Sequence, residues 1–211
     1  MAVVVIHADE YPIENNDARK WFEVSYEREY SFDASMLKYE CTKEIWSGRD
    51  LAEQKLEDIK LDNAEQDTCI NCRERCRGPV YFEGECEKKD SFLALYQKCI
   101  EADAVIIIAT VGRASFNLRR FLQYAKDLID RNKRNPEAQW YMRVPVLLVG
   151  IIPVPSSKAR MILVEIEKMI EKIGAISIDQ VCITKQNKYY MIPTIRWAIE
   201  RLCREAEQKK R

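Results

Sequence analysis

One histidine, His7, is all that the 211 residues provide. It ends a short apolar run and has no serine or cysteine nucleophile beside it. No Ser-His-Asp or Cys-His constellation is built from a single histidine at a strand end. That position suits either a site role or a packed, hydrogen-bonded side chain. Surplus charge is missing too: Lys+Arg and Asp+Glu both count 34, so the net charge is zero. Nucleic acid is therefore not expected as a partner, because binding a polyanion requires an excess of positive charge. Apolar runs are all well short of the ~20 residues of a membrane span, so no membrane contact is expected. The start, Met1-Ala-Val-Val-Val-Ile-His7, has no basic n-region and too short an apolar run for a secretory signal. A reducing, cytoplasmic compartment is the expectation.

Cysteine is not scarce. Of eight cysteines, four fall together as Cys69-Ile-Asn-Cys72-Arg-Glu-Arg-Cys76, then nine residues, then Cys86. A C-x-x-C turn presents two sulfurs to one centre from the same side. Gly78, Pro79 and Gly84 allow the chain to fold back and bring Cys86 to the other three. Four grouped thiols point to a disulfide framework, a zinc ion or an iron–sulfur cluster. The chain is large enough to need no staples, which disfavours disulfides. Spacing alone separates zinc from iron–sulfur poorly. The remaining four, Cys41, Cys99, Cys182 and Cys203, read as small buried apolar residues.

Four β-rich runs punctuate the chain: 2–6, 104–109, 144–150 and 175–183. The first three do not alternate polar with apolar. Strands that are apolar throughout belong to a sheet covered on both faces, which normally means parallel strands joined by helices. Segments 90–102, 116–131, 157–173 and 193–210 carry helical apolar spacing, and Gly174 is placed to cap the third of them in the left-handed region. The pattern predicts an α/β fold, a doubly wound parallel sheet of about five strands. One domain is expected over 1–211. Residues 10–68 are acidic and aromatic; they are expected to hold a first crossover helix near 15–30, and a short helix and the second strand within 51–61. They also form a candidate insertion or oligomer contact, with the aromatics concentrated in 21–46. Residues 69–90 form the cysteine-cluster loop.

The order of these parts, with Cys86-Glu-Lys-Lys-Asp90, Glu101-Ala-Asp-Ala-Val-Ile-Ile-Ile108 and Asp130-Arg131, resembles the iron–sulfur flavoproteins. These lie in the NADPH-dependent FMN reductase-like branch of the flavodoxin-like fold. The resemblance covers roughly 65–205. It implies FMN and a 4Fe-4S cluster, the latter on Cys69, Cys72, Cys76 and Cys86, with zinc as the alternative metal. It implies a redox flavoprotein that moves electrons between a carrier such as ferredoxin, or NAD(P)H, and an acceptor, working as a homo-oligomer. The other readings are a zinc-stabilised binding or assembly module without flavin, and an FMN reductase with structural zinc. The implied flavin loop is Thr110, Val111, Gly112, Arg113, Ala114, Ser115, Phe116 and Asn117, joined by Ile151, Ile152, Pro153 and Ser156. Thr110 and Gly112 would offer backbone N–H groups to the isoalloxazine, Phe116 would pack on it, and Arg113 would meet negative charge. Ser115 or Asn117, and Ser156-Ser157, suit helix caps equally well. Three features depart from the family pattern. The spacing Cys72-x3-Cys76-x9-Cys86 is looser than the family's. The first strand runs into Asp9-Glu10, where the family has a Ser/Thr-rich phosphate loop, and the flavin loop lacks the family's Ser-Pro-x-Tyr-x-x-Gly.

Overall fold

A computed structural model describes residues 1–8, 37–45, 55–60, 91–111, 115–132, 140–152 and 157–209. Strand β1 spans Ala2–Ala8, helix α1 covers 37–45, and β2 spans Lys55–Lys60. Next come α2 (Ser91–Glu101), β3 (Ala104–Thr110) and α3 (Ser115–Asn132). Strand β4 (Pro145–Ile152), α4 (Ser157–Lys172), β5 (Ile176–Thr184) and α5 (Lys188–Lys209) complete the order.

The strands form one sheet in the order β2-β1-β3-β4-β5, and every neighbouring pair is parallel. Strands β3 and β4 are buried along their whole length, as runs of Val, Ile and Leu between two helical layers must be. Right-handed crossovers explain the layers. The chain steps one way from β1 to β2 and the other way through β3, β4 and β5, so the connecting helices fall on opposite faces. One core packs Val4, Ile6, Val105, Ile107, Val146 and Leu148 against α2, α3 and α4. The other packs Val3, Val5, Ile106, Ile108, Leu147 and Val149 against α1 and α5. Each fully buried aliphatic side chain contributes about 1.5–3 kcal/mol relative to exposure.

The edges differ from the centre. Strand β5 is exposed at Ile176 and mixes half-buried with buried positions after it, and a register shift opposite Val146/Leu147 gives it an extra residue. Strand β2 reads Lys-Leu-Glu-Asp-Ile-Lys, a polar edge strand that falls within the expected 51–61. The expected crossover helix near 15–30, the bulk of the 10–68 segment and the whole 69–90 loop lie outside the described residues. Helix α1 at 37–45 was not anticipated; Leu37, Cys41 and Ile45, four residues apart, turn one buried stripe to the sheet.

Two helix ends have clear causes. Helix α4 stops at Gly174, whose φ is 84°. Gly174 N donates to Glu171 O and Ala175 N to Ile170 O, the paired bonds of a Schellman cap. Helix α5 begins at Lys188, five residues before the expected start at Pro193. Asn187 sets that start: its carbonyl accepts from Tyr190 N and Met191 N, both at 3.0 Å. Pro193 removes only the bond to Tyr189 O, and it lies on the exposed face, where water serves that carbonyl. The Asn187 side chain also ties the helix to β5, accepting from Thr184 N at 2.6 Å and donating to Cys182 O at 3.0 Å. Asn187→Ala loses both side-chain bonds and leaves two partly buried backbone groups wanting partners. It is expected to cost about 2 kcal/mol, measured by urea unfolding.

Candidate functional site

In an open α/β sheet the ligand crevice lies beyond the carboxyl ends of the strands, where the strand order reverses. Here that point falls between β1 and β3. Ala8 pairs with Ala109 at this edge, and Thr110 pairs with Ile151. Val111 N donates to Ile151 O at 2.7 Å, so the ladder continues one residue past β3 and fixes where the following loop departs. His7 stands on β1 beside Lys60 of β2 on one side and Ile108 of β3 on the other.

The structure thus brings the ends of three expected site segments to one edge: His7–Ala8, Thr110–Val111 and Ile151–Ile152. Thr110, Val111, Ile151 and Ile152 are all buried. The two isoleucines enter opposite cores, so their side chains hold the sheet and only their backbone reaches the crevice rim. Ser115 begins α3, which places Ser115, Phe116 and Asn117 in the helix's first turn. Gly112, Arg113, Ala114, Pro153 and Ser156 lie outside the described residues. So do Cys69, Cys72, Cys76 and Cys86.

Among the described residues, two helix starts bear on the electrostatics of this edge. Helices α3 and α4 both begin just after a strand end, and neither has an acidic residue in its first turn. The unpaired N–H groups and the dipole of such starts favour negative charge. Arg119, one turn into α3, pairs with Glu165 of α4 and links the two helices.

The cysteines outside the cluster are packing residues. Cys41, Cys99 and Cys203 are buried, Cys182 is half-buried, and none of the four is in a disulfide. Among the described residues no group of His, Cys, Asp and Glu is arranged to hold a metal ion. Burial pushes the Cys41 thiol up from 9.0 to about 12; the charge of Glu40 adds to the rise, and a backbone hydrogen bond opposes it. Burial also raises Cys182, partly offset by Arg160. Such thiols are poor nucleophiles and poor metal ligands. A raised folded-state pKa means that stability is fully present below pH 9. It falls as the pH rises toward 12, because the unfolded thiol ionises first. Cys41→Ala should flatten that part of the stability–pH curve, measured as the difference between the two proteins in urea titrations at several pH values.

Sequence reasoning missed the Thr184/Asn187 clasp that closes the β5 end of this edge, and it missed Lys60 beside His7. The clasp had a signal, an Asn five residues after the half-buried strand cysteine Cys182. The polar edge strand carrying Lys60 had little.

No protein-family model matches the chain, and no curated protein matches it in sequence. Solved structures do match in shape. An oxidoreductase from Corynebacterium diphtheriae superposes with a TM-score of 0.54 at 10% identity, covering 98% of this chain and 97% of that one. An NADH:FMN oxidoreductase in its apo form gives 0.51 at 11% identity, covering 96% and 88%. A flavone reductase gives 0.51 at 9% identity, covering all of this chain and 64% of that one. With the strand order above, these likenesses define the fold class: a flavodoxin-like, doubly wound α/β domain. Among the described residues no helix is long and apolar enough to cross a membrane.

Proposed function

We propose that this protein is an FMN-dependent oxidoreductase that also carries an iron–sulfur cluster, and that it passes electrons between NAD(P)H or a ferredoxin-like carrier and an acceptor. The observation that carries the flavin half is the switch point between β1 and β3, where the buried run closes with Thr110 and Val111 and α3 starts four residues after Val111. The residues fit the group. Backbone at the strand end suits a flat, hydrogen-bonding ring, and the acid-free first turns of α3 and α4 suit a phosphate. A structural neighbour described as an NADH:FMN oxidoreductase agrees with this reading.

The cluster half rests on sequence: four thiols at Cys69, Cys72, Cys76 and Cys86, a C-x-x-C among them, and the resemblance to iron–sulfur flavoproteins. Zinc on the same four thiols is the second reading, favoured by the C-x-x-C spacing that zinc sites share. When bound, flavin exchanges one electron or two and a cluster only one, which lets such a pair join two-electron donors to one-electron carriers. This chain's residues would supply position and charge. Thr110 and Gly112 would fix the ring's polar edge, and Arg113 would balance its negative charge or that of the phosphate. The burial around Thr110 and Val111 would exclude water from one side.

Removing Arg113 tests the flavin half. A charge-assisted hydrogen bond is worth about 1.5–3 kcal/mol, so Arg113→Ala should weaken FMN binding about tenfold or more in a fluorescence-quenching titration. Asp9→Asn should leave binding unchanged or tighten it, since a carboxylate there opposes the phosphate. Equal affinity in Arg113→Ala and the parent protein would remove Arg113 from the site.

A further inference from the structure

Helix α5 buries Ile195, Ala198, Ile199, Leu202, Cys203 and Ala206 against the sheet. Its opposite face is aromatic. Tyr189, Tyr190 and Trp197 are 77%, 78% and 76% exposed. Tyr190 and Trp197 are seven residues apart, about two turns, so they share a stripe. Pro193, one turn before Trp197, is exposed between them. Single exposed aromatics are ordinary, but a stripe along one helix marks a contact surface. The helix is held in place from its flanks: Lys188 pairs with Glu40 at 3.2 Å and Arg196 with Glu44 at 2.6 Å, both on α1.

We propose that this face is the contact of a two-fold homodimer, with Trp197 on the axis and Tyr190 of each copy against Arg204 of the other. The residue order makes the face self-complementary. When two copies of a helix meet antiparallel about position 197, each residue opposes the one equally far on the other side. Tyr190 then meets Arg204, Pro193 meets Arg201, and Thr194 meets Glu200. No like charges are opposed. Arg204 and Arg201 are exposed on the same face, and an arginine over a tyrosine ring is a favourable pair. The area suffices. Aromatic side chains bury ~150–250 Å² each. Three of them with their proline and arginine neighbours approach the ~800 Å² per partner of a stable interface. Tyrosine, tryptophan and arginine are also the residues that dominate binding energy at such centres. A different protein as partner would need no such match of the face to itself.

Sedimentation equilibrium of the full chain at micromolar concentrations tests this. The parent protein is expected to self-associate, and Trp197→Glu should halve the mass of the assembly without changing the far-UV spectrum, its melting temperature losing the concentration dependence that association gives the parent. Tyr190→Arg should weaken the dimer about tenfold by opposing two arginines. The double swap Tyr190→Arg/Arg204→Tyr should restore the affinity to near the parent value, which a general loss of apolar surface would not do. A parent protein that stays monomeric would overturn the proposal. So would an assembly unchanged by Trp197→Glu, or a double swap that dissociates as readily as Tyr190→Arg alone.

Discussion

Gly150→Val is expected to be the most damaging single change at the site's rim. Gly150 lies in β4 beneath α4, and a Cβ there would stand 2.5 Å from Leu163 Cδ1 and 2.6 Å from Cδ2. Leu163 is itself buried in the core shared by α3, α4 and the sheet, so it cannot swing into solvent. Overpacking of this kind costs typically about 1–3 kcal/mol. For a chain of this size, that lowers the melting temperature by roughly 2–4 °C per kcal/mol. Removing the obstacle should remove most of the penalty. In a Leu163→Ala background Gly150→Val should cost clearly less than in the parent protein, and the double-mutant cycle gives the coupling directly. Additive costs would show that the helix, and not Leu163, sets the limit. Because β4 ends two residues later at the crevice, the variant should also weaken flavin retention.

Cysteine substitution in the 69–86 motif should have the second large effect. If Cys69, Cys72, Cys76 and Cys86 share one centre, Cys72→Ser should remove nearly all bound iron from protein purified without oxygen, and Cys76→Ser and Cys86→Ser should match it. Cys99→Ala and Cys203→Ala should keep the full iron content, since both thiols lie in the packed cores. Their cost should appear in stability alone. Zinc in place of iron, lost in the same three variants, would keep the four-thiol centre and replace the cluster chemistry with a structural role. Unchanged metal in Cys86→Ser would break the set.

How readable each part was follows from burial. Strands β1, β3 and β4 are buried on both faces, so their Val/Ile runs carry no competing signal and their bounds were nearly right from sequence. Strand β2 is a polar edge strand, and its Leu56 and Ile59 are too few to stand out. Helix α1 shows the sheet only Leu37, Cys41 and Ile45, one of them a cysteine, and the tyrosine and tryptophan around it drew attention away. Pro193 misdirected the start of α5, because a proline in an early, exposed turn removes one bond that water replaces, and Asn187 had already begun the helix. At the site, Thr110, Val111, Ile151 and Ile152 were expected in the loops that follow the strands; the structure makes Thr110 the last residue of β3 and Ile151 and Ile152 the last two of β4. That the two isoleucine side chains serve the cores could not be read from a loop motif. It depends on the alternation of faces in β4 and on which helix covers each face.

The central claim is that the edge between β1 and β3 holds FMN. Its most direct test is to incubate the purified protein with excess FMN, desalt it, and measure flavin per chain by absorbance after denaturation. The account predicts close to one FMN per chain, with the flavin spectrum altered from that of free FMN and retention reduced in Arg113→Ala. Flavin-free protein after desalting, with the fold intact by circular dichroism, would contradict it.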